Sequence, residues 1–263
     1  MSIKISVLAS GSSGNSILIA SKKRTILIDA GLSGKELVKR INKCDINEGS
    51  IDAILVTHEH SDHIKGAGIL SRKLDLPVYA NRLTWQEAES CMGKIKKENK
   101  KIFEEEFMIG DLGIIPYQIS HDAEDPVGYI IHYKNKKIGI ATDMGCVTEE
   151  VKSRLQDLDF LILEANHDLE MLMTGSYPYY LKQRIKGEEG HLSNDATADL
   201  IPKLVNGKCP HILLAHLSKD NNRKEVAYIT IKNILEENNL KIGENLKLDF
   251  TYRDKPTSLY EVN

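Results

Sequence analysis

The sequence predicts an α/β protein built as a four-layer αββα sandwich, with two sheets face to face and helices covering both outer surfaces. Three observations lead there. Short runs rich in Ile, Val and Leu open the chain; strand-like and helix-like runs then alternate; and this pattern occurs twice. Of the 263 residues 41% are hydrophobic and 28% charged, ordinary for a soluble protein with a sizeable core. No low-complexity stretch or charge block marks a boundary, so residues 1–263 read as one domain.

The elements follow in order. KISVLA, SILIA and TILIDAG are apolar runs punctuated by Gly, Ser and Lys, which predicts three strands. KELVKRINK has helical spacing at Leu37, Val38 and Ile41. DAILVT reads as a buried strand, HIKGAGILSRKL as the start of a helix, LPVYA as a strand, and Thr84 to Ser90 as a helix. The middle predicts hairpins, one turning at GD and another at KNKK. EEVKSRL is helical, FLILEA a strand, and helices are expected around Tyr177–Arg184 and Asp195–Leu204. HILLAH is a strand, VAYITIKNILEEN a long amphipathic helix, and LKLDFTY the last strand, so the chain is expected to end in one helix and one strand.

The start, MSIKISVLASG, lacks the basic and apolar regions of a secretory signal, and the longest apolar runs (FLIL, ILLA) are too short to span a bilayer. A cytoplasmic protein with no membrane partner is expected. Cys44, Cys91, Cys146 and Cys209 are scattered without C-x-x-C spacing, which fits a reducing compartment and argues against a thiolate zinc site. The net charge of −3 gives no global attraction to nucleic acid, so such a partner needs local basic patches.

The chemistry concentrates in THEHSDH, residues 57–63, which holds three of the nine histidines directly after a strand. His58 and His60, two apart at a strand end, can project to one side; Asp62 and His63 follow in the turn into a helix. The run suits two ions about 4 Å apart better than one tetrahedral ion. The competing reading is a helix N-terminus capped by Asp62 with exposed histidines. Further ligand types stand at predicted strand ends: His121, Asp143 and His216.

The run from His58 to His63, with His121, Asp143 and His216 in that order, resembles the metallo-β-lactamase superfamily of di-metal hydrolases, over essentially the whole chain. The resemblance implies that His58, His60 and His121 hold one metal, that Asp62, His63 and His216 hold a second, and that Asp143 bridges them. It implies a position behind the metal ligands for Asp29, orienting the metal-binding turn. LASGSSGNS, LIDAGLSGKE, THEHSDHIKG, ATDMG, LEANHD, GHLSN and LAHLSKDNN together resemble the small bacterial YycJ/WalJ group, which implies a nuclease acting on DNA ends, 5′ to 3′. LILEANHD and GHLSNDATA are also similar to the tRNase Z pattern.

Two ions, zinc or manganese by donor type, would activate water for attack on phosphorus, with Asp62 counted among the catalytic residues. His191 is the expected proton donor to the leaving oxygen and Glu164 the group that holds its imidazole. His191 could instead be a surface-loop residue ahead of a helix capped by Ser193. His167 either meets substrate or packs beside Glu164, and His132 and His211 read as structural. Ser12, Ser13 and Asn15 either make a tight turn with Gly11 and Gly14 or face a substrate phosphate. Tyr177, Lys182 and Arg184, in YPYYLKQRIKG with Tyr179, Tyr180 and Lys186, combine stacking surface with cations for nucleic acid. KIKKENKK and KNKK read as solvated faces. The alternatives are a small-molecule phosphodiesterase, thioesterase or lactonase on the same core, an RNA-processing endonuclease, or a binding protein without chemistry. The complete ligand set argues against the last.

Overall fold

The computed structural model describes residues 2–205, 208 and 210–263; Cys209 lies outside them. The chain runs β1 (Ile3–Ala9), β2 (Ser16–Ala20), β3 (Thr25–Ile28), α1 (Gly34–Asn42), β4 (Ala53–Leu55), α2 (Ser61–Ile64), α3 (Ala67–Leu74), β5 (Val78–Ala80), α4 (Arg82–Met92) and β6 (Lys100–Ile102). It continues with β7 (Phe107–Ile109), β8 (Leu112–Gln118), β9 (Val127–Tyr133), β10 (Lys136–Ala141), α5 (Glu149–Arg154), β11 (Phe160–Glu164), α6 (Leu169–Thr174) and α7 (Tyr179–Lys186). It ends with α8 (Asn194–Leu204), β12 (His211–Ala215), α9 (Lys224–Glu237), β13 (Lys247–Phe250) and β14 (Tyr260–Val262).

Two seven-stranded sheets result, ordered β14-β1-β2-β3-β4-β5-β6 and β13-β12-β11-β10-β9-β8-β7. Both follow one recipe. Strands meet antiparallel from β14 to β3 and from β7 to β10, then parallel from β3 to β6 and from β10 to β13. The central strands are buried on both faces, which explains their unbroken apolar runs. Alternate residues divide between layers. Ile26, Ile28 and Leu213 join Tyr129 and Phe160 between the sheets. Leu27 and Ile54 face α1, α3 and α4 through Leu37, Leu70 and Trp85. Ile212 and Leu214 face α5, α8 and α9 through Val151, Ile201 and Ile231. The expected αββα architecture is present.

Helix starts follow sequence signals: Ser33, Asn81, Thr148, Asp168 and Ser193 each accept a hydrogen bond from a first-turn N–H. Several elements differ from expectation. HIKGAGILSRKL is two helices, broken at Gly66, whose N–H donates to the Ala30 carbonyl and where a Cβ would lie 2.4 Å from the Leu32 carbonyl oxygen. Lys101 and Ile102 of KIF end β6 in the first sheet, whereas FMI opens the second. The short α6 had no periodicity to announce it. The chain ends in two strands, because β14 returns to pair antiparallel with β1.

Candidate metal centre

His58, His60, His121, Asp143 and His216 lie one to five residues past the C-terminal ends of β4, β8, β10 and β12, Asp62 and His63 lie in α2 directly after His60, and β3 brings Asp29 to the same edge of the sandwich. Asp29, Asp143 and His216, each one or two residues past a strand, adopt left-handed backbone with φ of 59°, 59° and 57°. That conformation is uncommon for His and marks turns held by their surroundings.

The imidazoles gather closely. The His58 ring centroid lies 4.7 Å from His60, 4.0 Å from His63 and 5.0 Å from His121, and His60 and His121 are 5.1 Å apart. Donor atoms converge within 4.8 Å in three groups: His58, His60 and His121; His58, His63 and Asp143; and Asp143, Glu164, His191 and His216. Asp143 joins two of these, its Oδ2 3.3 Å from His63 Nε2 and its Oδ1 3.2 Å from His216 Nδ1. Asp62 stands beside them, Oδ2 3.8 Å from His63 Nε2.

Hydrogen bonds behind the rings fix which nitrogen is free. Thr57 donates its N–H to Asp29 Oδ1 (2.8 Å) and its hydroxyl to Asp29 Oδ2 (2.9 Å). The Thr57 oxygen is then an acceptor for His58 Nδ1–H at 2.9 Å, and Asp29 Oδ2 for His63 Nδ1–H at 2.7 Å. His121 Nδ1 lies 3.2 Å from the Gly190 carbonyl and His216 Nδ1 3.0 Å from Glu164 Oε1. In the neutral form of each of these four imidazoles the proton therefore sits on Nδ1, leaving an Nε2 lone pair, the arrangement of metal-ligating histidines.

Electrostatics agree. Burial, helped by the nearby His63 charge, holds His58 well below the usual imidazole pKa, and burial lowers His121. Burial opposes a charge on His63, but Asp29 and Asp143 outweigh it and hold its pKa well above the ordinary value. Burial would raise Asp143, yet His216 and His63 hold it well below. A positive charge is favoured at the point between His63 Nε2 and Asp143. The buried atoms His58 Nε2, His216 Nε2 and Asp143 Oδ2 have no hydrogen-bond partner. Such orphans are costly unless something else satisfies them, and divalent cations held by the groups they belong to would do so. Imidazole with carboxylate, and no thiolate in these groups, suits zinc, manganese or iron.

A family model described as a beta-lactamase superfamily domain matches residues 24–216. The chain belongs to the metallo-β-lactamase superfamily. It is 40% identical to exodeoxyribonuclease YycJ of Bacillus anthracis over the full length of both chains. It is 41% identical to exodeoxyribonuclease WalJ of Streptococcus pneumoniae over 98% of each. Among solved structures, the metallo-β-lactamase fold protein YhfI from Bacillus subtilis superposes with a TM-score of 0.73, 16% identity and full coverage of both chains, a likeness of fold. The chain is thus a hydrolase-superfamily member with a His/Asp cluster suited to divalent metal.

Glu164, fully buried at the end of β11, does more than sequence reasoning expected. Its Oε1 lies 2.8 Å from His191 Nδ1 as well as 3.0 Å from His216 Nδ1, and its Oε2 accepts from the Met144 (2.7 Å) and Leu192 (3.4 Å) N–H groups. Burial would raise its pKa, but the His191 charge and the hydrogen bonds to His191 and His216 lower it. Burial opposes a charge on His191 too, but Glu164 and Asp143 raise its pKa to about 9. Both ring nitrogens of buried His167 lack partners, and burial lowers its pKa to about 4.

A cavity of about 230 Å³ adjoins the cluster, lined by His191, His216, Ser12, Tyr177, Arg184 and Arg253 among others. Of the expected substrate contacts, Ser12, Tyr177 and Arg184 lie in that lining and Ser13 is exposed. Asn15 is buried instead, its Nδ2 3.0 Å from His63 Nε2 and 3.3 Å from Asp62 Oδ2. Lys182 is engaged elsewhere: its ammonium donates to the Met173 (2.8 Å) and Gly175 (2.6 Å) carbonyls, closing the end of α6. Arg184 pairs with Asp122, and the Tyr177 hydroxyl donates to Asp220 at 2.9 Å. His211, at the opposite end of β12 from His216, meets Asp249 at 2.8 Å. Sequence reasoning missed Arg253, which no motif marks.

Proposed function

We propose that the whole chain is one domain acting in the cytoplasm as a phosphodiesterase that shortens DNA from its 5′ ends, with two divalent ions, zinc or manganese, at the His/Asp cluster. One observation carries the reading: lone pairs of several buried histidines and the Asp143 carboxylate converge at a single edge of the sandwich. The full-length relatives named exodeoxyribonucleases supply the substrate class. His58, His60 and His121 would hold one ion and Asp62, His63 and His216 the other, with Asp143 between them. Bound there, such ions lower the pKa of water and neutralise charge on phosphate oxygens.

The chain's own residues then have distinct tasks. Asp29 and Thr57 keep His58 and His63 in the ligating tautomer. Asp62, about a quarter exposed beside His63, is the carboxylate that can take a proton from attacking water. His191, charged at neutral pH, donates its proton to the leaving oxygen through Nε2, while Glu164 holds Nδ1 and keeps that charge in place. Glu164 also bonds His216, so one carboxylate sets both the acid and a ligand. Tyr179 and Tyr180, 71% and 74% exposed on α7, offer stacking surface for bases beside the cavity.

Metal-reconstituted protein incubated with end-labelled single- and double-stranded DNA and RNA, a generic phosphodiester and a thioester tests the reading. Stepwise release from the 5′ end of DNA is expected. Internal cuts in RNA, or turnover of the small esters alone, would overturn it.

A further inference from the structure

The loop between β8 and β9, residues 119–126, carries His121 and has no regular structure of its own. Hydrogen bonds therefore decide where that imidazole stands, and they divide into two sets. The first residues of the loop face the segment ahead of His191. The Ser120 hydroxyl donates to the Glu188 carbonyl at 2.7 Å, the Asp122 N–H donates to the Glu189 carbonyl at 3.1 Å, and His121 Nδ1 lies 3.2 Å from the Gly190 carbonyl. The later residues face the first half of the chain. The Glu124 N–H donates to Glu59 Oε1 at 2.9 Å, and the Asn81 side-chain amide donates to the Asp125 carbonyl at 2.6 Å.

The tie at Glu59 differs from its neighbours in what it connects. Glu59 stands between His58 and His60, so its carboxylate hangs from the short stretch of backbone that carries two imidazoles of the cluster. Its bond ends on the loop of a third, three residues beyond His121. The three rings come from opposite sheets, β4 in one and β8 in the other, and their centroids are 4.7, 5.0 and 5.1 Å apart. The Asn81 tie starts from the N-cap of α4, and the bond from the Val127 N–H to the Thr57 carbonyl (3.1 Å) lands on β9, past the loop. Among the described residues, no other hydrogen bond joins residues 57–63 to residues 119–126. Glu59 Oε2 is buried without a hydrogen-bond partner, so the Glu124 N–H is the one group that the side chain bonds. A backbone N–H on a carboxylate is a charge-assisted bond, stronger than a neutral one.

We propose that Glu59 is a positioning residue: by holding the Glu124 N–H it sets His121 against His58 and His60, and so assembles the ion site those three imidazoles form. This rests on the two-ion reading above. Glu59 touches neither ion nor substrate in this assignment and acts through the backbone on both sides of its bond. Asp62, His63 and His216, proposed to hold the other ion, lie outside the loop, so that ion should feel the tie far less.

Metal binding tests this without any substrate. Zinc is titrated into the metal-free full chain against a competing chelator that resolves two binding steps, and bound metal is counted by elemental analysis. Glu59→Ala should weaken one step about 10-fold, the low end of what residues behind metal ligands contribute, and leave the other within about twofold. Glu59→Gln keeps an acceptor for the Glu124 N–H and should bind both ions as the wild type does. His121→Ala already removes the ligand on the loop, so adding Glu59→Ala to it should cost nothing further, whereas a residue that only stabilises the fold would add its full effect in either background. Melting curves of the metal-free proteins identify a variant that fails to fold; Glu59→Met, which fills similar space without an acceptor, then takes the place of the alanine. Unchanged binding in Glu59→Ala, equal loss in both steps, a glutamine variant as weak as alanine, or full additivity with His121→Ala overturns the assignment and leaves the two-ion reading standing. A wild type that binds fewer than two zinc ions overturns both.

Discussion

Changing Asp29 to Asn replaces one carboxylate oxygen by an NH₂ group with almost no change in shape. Asn tolerates the left-handed backbone at φ 59° as Asp does, so the fold should persist. The structure gives Asp29 three accepted bonds: Thr57 N–H on Oδ1, and the Thr57 hydroxyl and His63 Nδ1–H on Oδ2. If the amide oxygen keeps the Thr57 N–H, the new NH₂ faces His63 Nδ1. Either two donors then confront each other in a buried site, or His63 moves its proton to Nε2 and loses the lone pair aimed at Asp143. A buried donor left unsatisfied costs about 1–3 kcal/mol. At 1.4 kcal/mol per decade that is about a 10- to 100-fold loss of metal affinity, the usual effect of removing a carboxylate behind a ligating histidine. The pH dependence has a definite sign. Asp29 also raises the His63 pKa in the metal-free protein, so a proton competes with metal most strongly in the wild type at low pH. The affinity gap should narrow as pH falls and widen as it rises. Zinc titration against a competing chelator between pH 6 and 8.5, beside a melting curve, measures both. An Asp29→Asn variant that folds normally and binds zinc as tightly as the wild type at every pH would refute the reasoning.

Three further outcomes follow from the same geometry. His191→Ala should keep its metal content by elemental analysis while turnover falls about 10²- to 10⁴-fold; because the raised pKa keeps His191 protonated up to about 9, the wild-type rate should fall as pH rises through that region and the variant should lose this alkaline limb. Stripping metal with chelator should lower the melting temperature, and zinc or manganese at about 100 times its Kd should restore roughly 2.7 kcal/mol, or about 5–10 °C for a chain of this size, in differential scanning fluorimetry. Gly31→Ala would place a Cβ 1.6 Å from the Asp62 carbonyl oxygen and 2.7 Å from the Asn15 nitrogen, both backbone atoms; a loss of about 3 kcal/mol or more is expected in denaturant melts, with weakened metal binding because the Asp62 turn must move.

The ligand cluster is legible in the sequence because its chemistry is local. THEHSDH compresses ligand types into a strand end and the turn after it, and Asp143 and His216 each follow an unmistakable apolar run. The double sandwich is legible because both halves repeat the same alternation. What sequence does not show is which partner a charged group finds. Lys182 looks free as long as α6 is not visible, and that helix supplies the carbonyls that occupy it. Glu164 reads as a partner for His191 alone, since its bond to His216 exists only once β11 and β12 lie side by side. Asn15 reads as facing a phosphate, but the close approach of Gly31 to Asp62 carries its loop against His63. β14 is three residues long and gains meaning only from the β1 edge it covers.

That late pairing bears on how the protein comes into being. While the polypeptide is being synthesised, β1 keeps an open edge until residues 260–262 emerge, and Arg253 cannot settle on the Gly11 loop much before then. A nascent chain can therefore bring together all the side chains proposed to hold metal while the edge of its first sheet is still uncovered.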